Sequence, residues 1–148
     1  MELHVSFGRR RIDRPWFAWV GVGLQVMTGL LAIPVGWAFI QDPSGQALRL
    51  PPGWIEATPF GSYLVPGLYL LFVNGVGMLA VAALGAIRHP LAPWLTGVLG
   101  VGLIIWIFVQ IAVMPETMIL TWVFLATGVI MGVIALFWLR RTSQLLLW

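Results

Sequence analysis

Long apolar stretches broken by short polar punctuation run the length of this chain. Four of them carry no charged side chain and reach the roughly 20 residues a helix needs to cross the hydrocarbon core of a bilayer. They run from Trp16 to Ile40, Tyr63 to Ile87, Trp94 to Met114 and Met118 to Leu139. Each break has a local chemical cause. Asp42, Pro43, Ser44 and Gly45 form a turn signal after the first stretch, Arg88, His89 and Pro90 separate the second from the third, Pro115 with Glu116 ends the third, and Arg140 with Arg141 closes the fourth. Backbone N–H and C=O groups cannot stay unpaired in hydrocarbon, so continuous helices are expected. The pattern predicts an all-α fold, an integral membrane four-helix bundle forming a single transmembrane domain over residues 1–148. The basic cluster ahead of Trp16 resembles the start of a signal peptide, but the apolar run is too long and lacks a small-residue cleavage site, which predicts a retained first span.

One connection is long. Gln41 to Ser62 carries Leu48, Leu50, Trp54, Ile55 and Phe60 among several prolines, with Arg49 and Glu56 as charged members. A loop with so many apolar side chains is expected to fold onto the end of the bundle. A short helix is expected around Pro52 to Ala57, with proline in its first turn.

Charge placement sets an orientation. Every basic residue is an arginine; Arg9, Arg10, Arg11, Arg14, Arg88, Arg140 and Arg141 share one side of a four-span arrangement, and only Arg49 lies on the other. The arginine-rich side is expected to be cytoplasmic, which puts both termini there and the long loop outside. With 60% hydrophobic and 9% charged residues, the composition excludes an ordinary soluble domain and leaves no room for a separate soluble enzyme domain. The net charge of +3 is explained by topology rather than by nucleic acid, which is not expected as a partner. Trp16, Trp19, Trp37, Trp54, Trp94 and Trp138 fall near predicted span ends, where the headgroup zone suits an amphipathic ring.

Candidate chemistry is sparse. No ionisable residue lies inside a span, which weakens a proton-coupled transporter. There is no cysteine, and His4 and His89 lie outside the spans, so no haem, iron–sulfur or zinc ligand set is apparent. No catalytic constellation is visible, and no catalytic, metal or cofactor-binding residue is assigned. Bound lipid is expected, and a pigment or quinone held by apolar walls stays open. The polar residues within the spans are neutral: Gln25 and Thr28, then Asn74, then Gln110, then Thr121 and Thr127. Helix-to-helix hydrogen bonding is their expected use, with Asn74 facing the bundle. Glycines allow close helix approach, notably Gly128 and Gly132 in a literal GxxxG, and Gly75 and Gly77 beside Asn74, where the second span is expected to bend. Packing within the bundle is favoured over a homodimer seam. For Asp42, Glu56 and Glu116, an ion pair with Arg49 that fixes the loop is the simplest expectation.

Three segments carry a resemblance: Asp42-Pro43-Ser44-Gly45; Thr58-Pro59-Phe60 through Tyr63, Pro66-Gly67 and Asn74-Gly75; and Trp106-Ile107 with Gln110. The chain resembles a group of uncharacterised bacterial four-span inner-membrane proteins. The resemblance implies topology and a shared outer loop, in the bacterial cytoplasmic membrane, and no activity. It raises the idea that Phe60, Tyr63, Asn74, Trp106 and Gln110 cluster as an aromatic-walled pocket with amide groups, against the simpler reading that the loop packs there. The expected role is therefore a non-catalytic accessory or stabilising subunit of a larger membrane complex, with lipids and other subunits as partners; the alternative is a carrier of a small molecule, lipid or quinone that uses the outer pocket.

Overall fold

In a computed structural model, residues 12–51, 53–56, 58–114 and 118–145 are described. Arg9, Arg10, Arg11, Pro115, Glu116 and the last three residues, with the expectations placed on them, lie outside these described residues. The elements are all helical: α1 (Trp16–Gln41), a 3-10 turn (Gln46–Leu48), a short α2 (Gly53–Glu56), α3 (Leu64–Ala86), α4 (Ala92–Val113) and α5 (Ile119–Leu145). Four of them, α1, α3, α4 and α5, are long and apolar enough to cross a membrane. Large apolar side chains such as Leu30, Phe108 and Ile119 point outward from these helices. A helix apolar on its outer as well as its inner face belongs in lipid.

The four long helices alternate in direction. At one end the Ile12 N–H donates to the Arg88 carbonyl at 3.2 Å, the Arg14 guanidinium donates to the Ala86 carbonyl at 2.6 Å, and the Arg141 guanidinium stands 5.9 Å from the Phe17 ring. The arginines described at that end thus share it with the start of α1, the α3–α4 turn and the end of α5. At the opposite end Phe39, Ile55 and Tyr63 form a small core that Leu50, Leu70 and Met114 flank. The loop after α1 therefore folds back onto the bundle.

Backbones meet where glycine removes the side chain. A methyl group placed on Gly36 would sit 2.6 Å from the Leu71 amide nitrogen, and one on Gly67 would sit 2.6 Å from the Phe39 Cβ. These contacts fix α1 against α3. Between α4 and α5, a methyl on Gly128 would meet the Gly100 carbonyl at 2.9 Å, and one on Gly100 would meet the Gly132 nitrogen at 3.1 Å. Gly128 of the GxxxG pair is thus filled within the chain by α4, whereas a methyl on Gly132 itself meets nothing within 4 Å.

Several boundaries and placements differ from expectation. The helix α4 starts before Trp94, at Ala92, because Pro93 is acceptable in a first turn whose N–H groups have no intrahelical partner. The helix α5 continues through Arg140 and Arg141, since long side chains can carry charge to the interface without interrupting the backbone. Trp138 is not an interfacial ring: it is 1% exposed, and its indole N–H donates to the Asp13 carbonyl at 3.0 Å. That bond gives a buried indole the partner it needs. The α2 helix lies at Gly53–Glu56, inside the range expected for it.

Candidate functional site

The middle of α3 departs from α geometry. Leu70–Gly77 is a π-helical segment, and Asn74 and Gly75 are its buried members. A π turn adds a residue to the ring closed by each hydrogen bond, and such segments recur at functional positions. Gly75 and Gly77 fall within this segment. A methyl on Gly75 would lie 2.8 Å from Ile33 of α1, so the close approach there favours glycine, and one on Gly77 would fit tightly at 3.1 Å from the Phe72 carbonyl. The position where a bend was expected, near Asn74, falls within this π-helical segment.

Asn74 faces a cavity of about 330 Å³ in the loop-end half of the bundle. That volume is within the range of small-molecule sites, roughly 300–1,000 Å³. All four long helices and the loop line it: Thr28, Ala32 and Phe39 from α1, Leu70 and Asn74 from α3, Leu103, Trp106, Ile107 and Gln110 from α4, Thr121 and Phe124 from α5, and Trp54, Phe60 and Tyr63 from the loop and its end. Among the described residues no charged side chain takes part. The five residues singled out in the sequence, Phe60, Tyr63, Asn74, Trp106 and Gln110, are thus brought to one place. They are not equally buried: Tyr63 and Asn74 are enclosed, and Phe60, Trp106 and Gln110 are partly exposed.

The aromatic walls are held by stacking. Tyr63 stacks on Phe39 at 4.7 Å with planes 7° apart, and Trp106 stacks on Tyr69 at 4.8 Å with planes 15° apart. Such offset pairs contribute roughly 0.5–1.5 kcal/mol beyond area burial. The Tyr69 hydroxyl also donates to the Gly102 carbonyl at 3.0 Å, which ties α3 to α4 beside the cavity.

Tyr63 is placed by the turn after α1. The Asp42 carboxylate accepts from the Ser44 N–H at 3.1 Å, the Ser44 hydroxyl at 2.5 Å and the Ala47 N–H at 2.7 Å. These bonds, the Ser44 hydroxyl first, hold the Asp42 carboxyl below its ordinary pKa. They also take the role that an ion pair with Arg49 was expected to play. Gly45 follows at φ 77°, and a methyl there would lie 2.7 Å from the Tyr63 ring. The Tyr63 N–H donates to the Pro43 carbonyl at 2.8 Å. The turn is therefore a mount for one wall of the cavity.

Polar side chains in the bundle fall into two sets. The Gln25 amide donates to the Thr96 hydroxyl at 2.9 Å across α1 and α4, and the Thr127 hydroxyl donates to the Val123 carbonyl at 2.9 Å. The first is the helix-to-helix contact expected of a neutral polar residue; the second stays within α5 and differs from that expectation. Thr28 and Asn74 behave differently: each is 1% exposed, and neither Thr28 Oγ1 nor Asn74 Oδ1 has a hydrogen-bond partner. Leaving a buried polar atom unpaired costs about 1–3 kcal/mol. Both residues are among those that line the cavity, while the two atoms themselves are shielded from it.

The cavity has a mouth. Leu31 and Val35 of α1 and Met118 and Leu120 at the start of α5 line it and are also exposed on the outside of the bundle. Near the arginine end the same two helices close up, with Gly21 within 3.3 Å of Ile134 by the methyl criterion. The exposed lining residues thus come from α1, from the start of α5 and, with Leu48, from the loop. Thr28 was visible in the sequence only as a neutral polar residue, and Thr96 not at all. Their roles depend on which helices meet and which stand apart.

Among the described residues no cluster of three or more His, Cys, Asp or Glu side chains is placed to hold a metal ion. No family model matches the chain, and no match was found among curated proteins or solved structures.

Proposed function

We propose that this chain is a multi-pass protein of a bacterial cytoplasmic membrane, with its arginine end in the cytoplasm, that binds a neutral, largely apolar small molecule in its loop-end cavity. The observation that carries the reading is a largely apolar, aromatic-walled cavity of about 330 Å³ whose lining residues include Asn74, Gln110, Thr28 and Thr121. An apolar pocket with a few convergent polar groups is the general form of a small-molecule site. Seven of eight arginines on one side support the orientation. An accessory-subunit role has less support, because Gly75 and Gly128, two of the small residues that could seat a partner helix, are in contact with α1 and α4 of the same chain.

Native mass spectrometry of protein released from lipid nanodiscs tests the proposal. Wild type should carry one neutral apolar molecule, and Val35→Trp, which puts bulk at the half-exposed mouth, should carry none. The same adduct on both proteins, or on neither, would overturn the reading.

A further inference from the structure

At the end of the bundle away from the loop, Arg14, Arg88, Arg140 and Arg141 stand with one described carboxylate, that of Asp13, and among the described residues none of these arginines forms an ion pair. We infer that Arg14 and Arg88 together seat the phosphodiester of an anionic phospholipid, whose chains lie along the exposed flank of α1 and α3 beside Trp19 and Ile87. The inference does not draw on the cavity, and the orientation proposed above serves only to name the leaflet as the inner one.

The backbone brings the two arginines to one place. The Arg14 guanidinium donates to the Ala86 carbonyl at 2.6 Å, and the Ile12 N–H donates to the Arg88 carbonyl at 3.2 Å. The segment leading into α1 therefore lies along the α3–α4 turn that carries Arg88. Arg14 is held a second time by its guanidinium, which lies 3.8 Å from the centre of the Trp19 ring. A guanidinium has several N–H groups, so donors remain for an oxyanion after one has met Ala86. A planar fork already held in place also loses little freedom on binding.

Arg88 sits where backbone energetics favour glycine. Its φ is 62°, its N–H donates to the Gly85 carbonyl at 3.2 Å, and the His89 N–H donates to the Leu84 carbonyl at 2.9 Å. This is the pattern of a helix closed by a left-handed residue, a position glycine takes without Cβ strain and arginine does not. Setting the orientation of the spans needs positive charge at this end but not at this strained position. The exposed cation of Arg88, two residues beyond the carbonyl that holds Arg14, is thus better explained by a use for its charge than by the needs of the turn.

The surroundings favour a lipid over a soluble anion. Trp19 is 51% exposed and Ile87 is 60% exposed, so bare apolar surface lies directly beside the two cations. Headgroup and chains of one molecule match that pairing, and basic sites beside membrane helices recognise anionic headgroups in this way. Arginine suits the phosphodiester because its fork can meet two phosphate oxygens at once. A zwitterionic headgroup brings its own ammonium to the phosphate and gains less from either arginine.

The test places the full chain in nanodiscs of about one part phosphatidylglycerol to four parts phosphatidylcholine and counts the lipids retained on release by native mass spectrometry. Wild type should retain phosphatidylglycerol enriched about fivefold or more over its share of the bilayer. Arg14→Gln and Arg88→Gly should each lower that enrichment by about threefold or more, whereas Arg140→Gln, which removes the same charge from the same end, should leave it nearly unchanged. Arg88→Gly relieves the left-handed position, so its thermal transition should lie at or above that of wild type and its loss of lipid is then not a loss of fold. Soluble glycerol phosphate should not displace the lipid. No enrichment in wild type, an equal loss in Arg140→Gln, unchanged enrichment in Arg88→Gly, or displacement by glycerol phosphate would each overturn the inference and leave the cavity reading untouched.

Discussion

Gln25 and Thr28 lie one turn apart on the same face of α1, are equally buried, and meet opposite circumstances. Toward the arginine end the helices are closed: Ala18, Ala92 and Trp138 pack together, a methyl on Gly85 would lie 2.9 Å from Val22, and Gln25 reaches Thr96. Toward the loop end the helices stand apart around a cavity, and Thr28 reaches nothing. Both halves have the same lipid-facing exterior. The difference shows that neither composition nor hydropathy decides which polar residue is glue and which belongs to a site. Helix separation decides it, and side-chain volume at a few positions sets that separation.

The comparison is sharpest for the two large aromatics inside the bundle. Truncating Trp138 to alanine should destabilise the protein by about 3–5 kcal/mol, the range for a fully packed tryptophan. Trp106→Ala should cost clearly less, because one side of that ring already faces a cavity. Denaturant titration in mixed micelles would measure both, and equal losses would mean that the two halves are packed alike.

Close backbone approach gives the next effect. Gly128→Ala should destabilise by about 1–3 kcal/mol through overpacking against the Gly100 carbonyl, and Gly132→Ala should be neutral or slightly stabilising. If Gly132→Ala instead altered oligomeric state on size-exclusion chromatography, the open space beside it would belong to a second chain.

The polar pairs should respond with opposite sign. Gln25→Leu leaves the Thr96 hydroxyl without its donor and should destabilise by about 1–2 kcal/mol. Asn74→Leu removes an acceptor that is unpaired in the empty protein and should leave stability unchanged or raise it. Equal destabilisation by both would make Asn74 a structural contact like Gln25.

The smallest effect is expected at the turn that mounts Tyr63. The hydrogen bonds to Asp42 favour its ionised form, so its folded pKa lies below the unfolded one. The resulting stabilisation is present above the unfolded aspartate pKa of about 3.9 and fades as pH falls through the lower folded value. Hydrogen exchange at the Ser44 and Ala47 amides should accelerate across that acidic window in wild type. In Asp42→Asn it should be faster at neutral pH and lack that dependence; identical profiles would remove Asp42 from the account.

Much of this architecture was legible in the residues. Four uncharged stretches of membrane length fix the four helices, and Asp42 to Gly45, Arg88 to Pro90 and Pro115 with Glu116 mark the breaks. The loop's apolar side chains implied that it folds back, as Ile55 and Tyr63 do against Phe39. Asn74 and its glycines implied an irregular helix, though not that it would be π-helical over Leu70–Gly77. The partners of the polar residues were not legible, because Thr28 and Gln25 have similar local sequence surroundings and differ only in what the other helices bring near them. Trp138 misled for a related reason: position near a span end says nothing about which way a ring turns.

Thermal unfolding in nanodiscs with and without dodecanol as a neutral, largely apolar probe, for wild type and Val35→Trp side by side, tests most directly whether the cavity is a binding site. A ligand that binds only the folded state must raise its stability. The account predicts a transition temperature that rises with dodecanol in wild type and stays fixed in Val35→Trp. No rise in wild type, or an equal rise in both, would contradict it.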